Sequence, residues 1–358
     1  MSVHSDITRQ VVETIIRQAV YAPSGDNSQP WHFEIRGNDI LVYNYPERDL
    51  PFYNYKQCGS HVAHGALLEN ISIAASTCEL AAKINLFPRG VEDELVAIVT
   101  LSSQPGISPD LLAPFISKRV TNRRIYNKEA ILPDVKAGIV AANQEEGVNV
   151  KFIDDPLKIK SISEASVVNE MTVLTTKAIH SFFFRHVVWS KEEEEKKRSG
   201  LFVKTLEMPR PQEIAFRLAR FWPIMRAANF FGIYKKIAAD NASLFQASAS
   251  LVAFLSAGTE PKHFVAAGRA MQRVWLACSR VGIAAHPITG VLFLYQRVRA
   301  GTADGISSLQ QQRIKTAYEV IVRETGVKDK SVIFLLRVGF APAPTATSSR
   351  TNPVIVIK

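Results

Sequence analysis

The stretch APSGDNSQPWHFEI, Ala22 to Ile35, fixes how the rest of the chain is read. Ahead of it, Val11, Ile15 and Ala19 recur at helical spacing within Ile7 to Val20, which predicts an amphipathic helix. Behind it, Trp31, Phe33 and Ile35 alternate with His32 and Glu34, the period of a half-buried strand. Between the two, Pro23, Ser24, Gly25, Asp26, Asn27, Ser28, Gln29 and Pro30 can continue neither element. Gly and Asn accept positive φ, and the prolines stop both helix and ladder. An irregular, stiff loop dense in hydroxyls and amides is expected: either a helix cap with a turn, or a seat for a polar ligand.

Bulk properties narrow the class. A chain of 358 residues at 47% hydrophobic can bury a sizeable core in one large or two ordinary domains. No uncharged apolar run approaches the roughly 20 residues of a membrane span, and the opening MSVHSDITRQ lacks a leader pattern. A cytoplasmic protein with no stable membrane insertion is expected. Cys58, Cys78 and Cys278 lie far apart in no metal-ligand spacing, and the contexts of Cys78 and Cys278 read as buried helical thiols. The net charge of +10 comes from scattered lysines and arginines without a nucleic-acid-binding motif, so no nucleic acid partner is expected.

Taken in order, Ile40 to Tyr45 reads as a strand paired to Trp31–Ile35 through a Gly37-Asn38-Asp39 turn, followed by a polar, aromatic stretch from Pro51 to Gln57. His61 to Phe87 reads as one long buried helix, on which Asn70 is a satisfied core amide, a partly exposed turn residue or a ligand contact, and His61 and His64, lacking a third ligand, make no metal site. Leu95 to Leu101 is a strand, and Ser102 to Pro109 is a linker, so the halves divide as 1–105 and 110–358. In the second half, Lys118 to Pro133 gathers Arg119, Thr121, Arg123 and Arg124 into an anion-binding cluster or a solvated basic turn. Strands follow at Val148–Ile153, Ala249–Ala257 and Ser331–Gly339, and helices at Lys262–Gly282 and Gly305–Thr325. His180 to Asn241 stands apart. Its KEEEEKKR run reads as a solvated helix face, and its aromatic, basic part reads as a lid over a site. Pro223 and the lack of a clean apolar stripe argue against a membrane surface there.

Four blocks of this sequence resemble the nitroreductase superfamily. The loop matches its P-S-x-x-N-x-Q-P-W form, and Arg119, Thr121 and Arg123 fall on its R-x-S-x-R motif with Thr in place of Ser. GRAMQRVWLACSRVGIAAHPITG resembles its core helix and P-x-x-G signature, and LLRVGFAP followed by Arg350 resembles its C-terminus. The usual order is reversed, since the loop here precedes the arginines. This implies two degenerate half-units fused in tandem, as in the Acg-like branch, with one composite site per chain. The resemblance implies an α+β fold of mixed, mainly antiparallel sheets flanked by helices, with 180–241 as an insertion. It further implies FMN as cofactor, held by Pro23, Ser24, Asn27, Gln29, Arg119, Thr121, Arg123 and Arg350, with Thr289 and Gly290 placing backbone N–H groups at flavin N5. NAD(P)H would be the transient reductant, and a nitro, quinone or similar conjugated small molecule the acceptor. A dedicated reductase acting on a biosynthetic intermediate and a flavin-sequestering protein are the alternatives. No metal is expected, no catalytic side chain is implied, and the assembly would be a monomeric internal pseudo-dimer or a homodimer.

Overall fold

A computed structural model describes residues 7–49 and 52–358. Residues 1–6 of the stretch read for a leader, and Pro51, lie outside the described residues. The first half runs α1 (Arg9–Ala19), β1 (Trp31–Arg36), β2 (Asp39–Asn44), α2 (Cys58–Ser76), β3 (Leu80–Leu86) and β4 (Leu95–Ser103). The second begins with α3 (Pro133–Ala141) and β5 (Val148–Ile153). Then come α4 (Pro156–Ser166), α5 (Val168–Thr175), α6 (Lys177–His186), β6 (Val187–Val188), α7 (Lys191–Lys197), β7 (Leu201–Phe202), α8 (Arg210–Ala219), α9 (Trp222–Phe230) and α10 (Ile233–Gln246). It closes with β8 (Ser250–Ser256), α11 (Pro261–Arg280), β9 (Ala284–Pro287), α12 (Gly290–Arg299), α13 (Ser308–Thr325), β10 (Ser331–Gly339) and β11 (Ile355–Ile357). The class is α+β, as expected.

The two halves repeat one another. One sheet has the order β1-β2-β4-β3, the other β5-β8-β10-β9, and every neighbouring pair within these orders is antiparallel. Matching positions give α1 to α3, β1 to β5, β2 to β8, α2 to α11, β3 to β9 and β4 to β10. The surplus of the second half enters at two places, between β5 and β8 and between β9 and β10. The insertion therefore spans 154–249, wider than the expected 180–241.

At the centre α2 and α11 cross through one glycine each. A Cβ on Gly65 would lie 2.1 Å from Val265 O, and one on Gly268 would lie 2.1 Å from Val62 O. Each glycine thus faces the carbonyl three residues before the other, the reciprocity of a local two-fold axis. Side chains from both sheets and both helices fill one continuous core, so the halves share an interior. Asn70 is a satisfied core amide: it donates to Ala19 O (3.1 Å) and accepts from Gln272 (2.7 Å).

The predicted helix over His61–Phe87 is too long. The chain turns at Thr77–Glu79, where Glu79 takes φ +55°, and Leu80–Leu86 pairs with β4 from Leu80↔Ser103 to Leu86↔Ala97. Ladder pairing and alternate burial override the helix preference of Leu, Ala and Lys. Cys78 consequently sits half-buried in the turn, while Cys58 and Cys278 are buried. After β10 the tail leaves the second sheet and returns to the first, where β11 pairs in parallel with β1 (Phe33↔Ile355).

Burial holds His61 near pKa 3, with a smaller contribution from His64, and burial holds His64 near 4. Both stay neutral in the folded chain, while an unfolded histidine protonates near 6.5. Their contribution is complete above pH about 6.5 and lost as the pH falls toward 4. Asp49 and Glu170, pushed up to about 7 chiefly by burial, act with the opposite sign: they lose stability as pH rises toward 7. The informative measurement is therefore a difference between proteins. His64→Gln should flatten the fall in melting temperature between pH about 6.5 and 4 relative to the parent; parallel curves would remove His64 from this account.

Candidate functional site

The Ala22–Pro30 loop is held in a conformation that its residues do not prefer. Asp26, Asn27 and Gln29 have φ of +46°, +57° and +51°. Left-handed backbone at non-glycine residues carries a cost and persists only where the surroundings fix it. Here they do. Ser24 Oγ accepts from Gln29 N (2.9 Å), closing the loop on itself. The fully buried Gln29 accepts through Oε1 from Thr351 N (2.9 Å) and donates through Nε2 to Arg198 O (2.7 Å). Asn27 donates to Ser349 O (3.1 Å) and accepts from Arg350 Nη1 (2.9 Å). The Gln29 amide, expected to meet a ligand, is instead committed to the tail and the insertion, and Pro23 is half-buried at the loop's start.

Arg119 and Arg350 meet at this loop from opposite ends of the sequence. Both donate to Tyr21 O, at 3.0 and 3.4 Å. The Arg119 guanidinium carbon also lies over Trp275, 4.4 Å from the ring centre. Among the described residues no carboxylate pairs with either guanidinium, and Nε of each is buried without a partner. Burial, and then the charge of Arg350, push Arg119 down to about 9; burial pushes Arg350 down to about 10. Arg119 is buried and Arg350 half-buried, the latter spending Nη1 on Asn27 Oδ1 and the Ser348 and Ser349 carbonyls. Two adjacent cations with no carboxylate in contact and an unpartnered Nε each are costly for the protein alone and suit a phosphate. Thr121, two residues after Arg119, is half-buried, and its hydroxyl has no protein partner among the described residues. The return of the tail to β1 is what brings Arg350 here.

The remaining arginines hold the insertion. Arg123 Nη1 donates to Thr205 O (3.2 Å) and Oγ1 (3.3 Å), and Arg124 pairs with Glu207 (3.1 Å), whose other oxygen accepts from Thr345. Buried Glu194, within the charge run read as a solvated face, accepts from Ser349 N and Oγ. The part of the insertion lying on the loop, the arginine motif and the tail is thus Glu194–Glu207. Phe221 and Trp222, in the aromatic part of the insertion read as a lid, do not lie in this part: Trp222 packs edge-on to His180 and Phe221 is exposed. Arg337, which sequence reasoning missed, is fully buried in β10 and fixes the motif from below. It donates to Arg124 O (2.8 Å) and to His286 Nδ1 (2.9 Å), and lies 4.0 Å from the Tyr126 ring centre. An arginine inside the apolar run SVIFLLRVG was its available signal.

Thr289 and Gly290 form the start of α12, where no side chain caps the helix. A Cβ on Gly290 would lie 2.5 Å from the Asn169 amide carbon, so the missing side chain leaves room for that amide. Asn169 adjoins Tyr53 and Glu170, and Asn169 Oδ1 and Glu170 Oε2 are buried without partners. Asp26, in the loop, acts electrostatically on Tyr53, which adjoins Asn169. Burial raises the Asp26 pKa, while His186 and then Arg123 pull it down. The candidate site thus pairs two adjacent guanidiniums with a strained polar loop, while the start of α12, which no side chain caps, packs against Asn169. Two clefts open elsewhere. One is lined by Glu69, Asp110, Arg269 and Arg273, whose charges are matched within 2.8 Å, and the other lies between α4 and α13. Neither offers comparable unpaired groups.

No family model matches the chain. It is 22% identical over 346 residues to the uncharacterized protein MT1398 of Mycobacterium tuberculosis (strain CDC 1551 / Oshkosh), covering 94% of this chain and 47% of that protein. It is 25% identical over 167 residues to the putative NAD(P)H nitroreductase Rv3131 of M. tuberculosis (strain ATCC 25618 / H37Rv), covering 46% of this chain and 48% of that one. The chain spans about half the length of the curated relatives it matches. Among solved structures, the FMN-dependent nitroreductase NfnB of Mycobacterium smegmatis, in complex with NADPH, aligns at 14% identity and a TM-score of 0.35, over 64% of this chain and 88% of that one. A nitroreductase with bound FMN from Bacteroides fragilis aligns at 13% and 0.33, over 68% and 94%. By sequence, the chain is similar to a putative NAD(P)H nitroreductase over about half its length.

Proposed function

We propose that this protein binds one FMN per chain and serves as an NAD(P)H-dependent oxidoreductase toward a nitro, quinone or similar conjugated acceptor. The observation that carries this reading is the meeting of buried Arg119 with half-buried Arg350, neither in contact with a carboxylate, beside a strained polar loop. The donor set fits the group: forked cations and the Thr121 hydroxyl suit the phosphate, and the uncapped start of α12 offers N–H groups to an electron-rich ring edge. Bound FMN would supply hydride acceptance and delivery at N5. Arg119 and Arg350 would anchor it, Ser24 and Asn27 would shape the loop along it, and Thr289 and Gly290 would orient the ring. Arg123 would hold positive charge nearby while fastening Glu194–Glu207 over the site. That closure excludes water, and it also favours a second reading, a protein that holds flavin with little turnover.

The purified protein should be yellow and contain about one FMN per chain, since the loop and the arginines occur together once; a colourless protein that FMN cannot reconstitute would sink the proposal. Anaerobic addition of NADH or NADPH should then bleach the colour, and a quinone should restore it. Bleaching without steady turnover would favour the sequestering reading.

A further inference from the structure

We propose that α8, α9 and the turn into α10 form a surface that docks the protein onto an anionic lipid bilayer. The inference is independent of the flavin reading. Helix α9 is apolar on both sides. Its inner side is accounted for: Met225 is 1% exposed, Trp222 packs on His180, and Asn229 donates to Leu174 O (2.7 Å). Its outer side carries Pro223, Ile224, Ala227 and Phe230, all exposed, with Phe231 next in the turn. A helix apolar all round is ordinarily covered on all sides. Instead Phe230 and Phe231 are 88% and 81% exposed. Gly232, at φ +78°, makes the turn that holds the two rings edge to face at its tip, 5.5 Å apart. On α8, Ile214 and Leu218 lie one turn apart and are exposed, and exposed Phe221 continues the same spacing.

Charge identifies the occupant. From 210 to 240 the cations are Arg210, Arg217, Arg220, Arg226, Lys235 and Lys236, against Glu213 and Asp240 alone. Both acids are already paired, Glu213 with Lys204 and Arg217, and Asp240 with Lys236. Among the described residues, Arg210, Arg226 and Lys235 have no acidic partner. Exposed aromatics rimmed by unmatched cations complement acyl chains beneath anionic headgroups. A second copy would fit worse, because a two-fold contact sets this basic rim against itself. No helix among the described residues is long and apolar enough to cross a membrane, so the contact is interfacial. Pro223, which counted against a membrane surface in the sequence, stands in the first turn of α9, where its ring breaks no helical hydrogen bond.

The test is co-sedimentation of the full chain with vesicles of equal parts phosphatidylcholine and phosphatidylglycerol, against phosphatidylcholine alone. The parent should bind the anionic vesicles, weaken with salt, and ignore the neutral ones. Phe230→Ser/Phe231→Ser should bind about tenfold or more weakly with an unchanged melting temperature, since both rings already meet water. Arg226→Gln/Lys235→Gln should bind more weakly and with less salt dependence. The proposal is overturned if the parent ignores anionic vesicles, or if the phenylalanine variant binds them as the parent does. It is equally overturned if that variant turns a dimer into a monomer in sedimentation equilibrium while vesicle binding stays unchanged.

Discussion

Gly268→Ala is expected to be among the most damaging single substitutions in this chain. The added Cβ would lie 2.1 Å from Val62 O and 2.9 Å from Val62 Cα. Those neighbours are backbone atoms of α2, so no rotamer change relieves the contact and the two central helices must separate. Overpacking a filled core commonly costs about 1–3 kcal/mol and sometimes more. Separating α2 from α11 would also loosen a core shared by both sheets, so an effect at or above that range is expected. Gly65→Ala, the matching change, should behave alike. Gly138→Ala is the control: it lies in α3 with nothing within 4 Å of its would-be Cβ, and should stabilise by about 0.5–1 kcal/mol through helix propensity. Thermal or urea melts of the three variants decide it. A Gly268→Ala protein as stable as the parent would show that the helices do not meet this closely.

The same crossing explains what was legible in the sequence. The structure aligns two short strings, Val62-Ala63-His64-Gly65 and Val265-Ala266-Ala267-Gly268, each inside an apolar helix. Four residues carry little weight until the glycines are seen to face one another. Strands β1, β2, β4, β5, β8 and β10 were legible because alternation or β-branched runs encode them locally. Helix α12 and strand β11 had no such signal. For β11 the signal is its partner, since Ile355–Ile357 becomes a strand only by lying beside β1.

What the structure brings together from the arginine motif and the polar loop is the meeting of Arg119 and Arg350 at Tyr21 O. Residues that depend on how the insertion lies were not legible in the sequence. Asn169 beside Gly290, Glu194 on Ser349 and Arg198 O on Gln29 are contacts between segments far apart in sequence. The symmetry also gives a reason for a single site. The position matching the Ala22–Pro30 loop is the short link between α3 and β5, where Glu145 is spent on Arg269 (2.7 Å).

Arg119→Met should separate the two states of the protein, with opposite signs. Methionine keeps an apolar stem over Trp275 and removes the charge. In the protein alone that charge is a burden: it is buried, repelled by Arg350, and held to about 9 mainly by desolvation. A cation whose folded pKa lies below its unfolded value near 12.5 costs stability at neutral pH. The variant's cofactor-free form should therefore melt at the same temperature or higher, despite losing the bond to Tyr21 O. Its affinity for FMN should fall by about 1.5–3 kcal/mol, tenfold or more, because a charge-assisted phosphate contact is gone. Arg124→Ala should do the reverse. It breaks the pair with Glu207, loosens the insertion, and leaves the phosphate seat intact. Fluorescence titration with FMN and melting of the cofactor-free proteins give both readouts. Equal losses of affinity in the two variants would mean that the arginines act only as a diffuse positive field. A large drop in the melting temperature of the cofactor-free Arg119→Met protein would mean that Arg119 is a structural strut rather than an anion anchor.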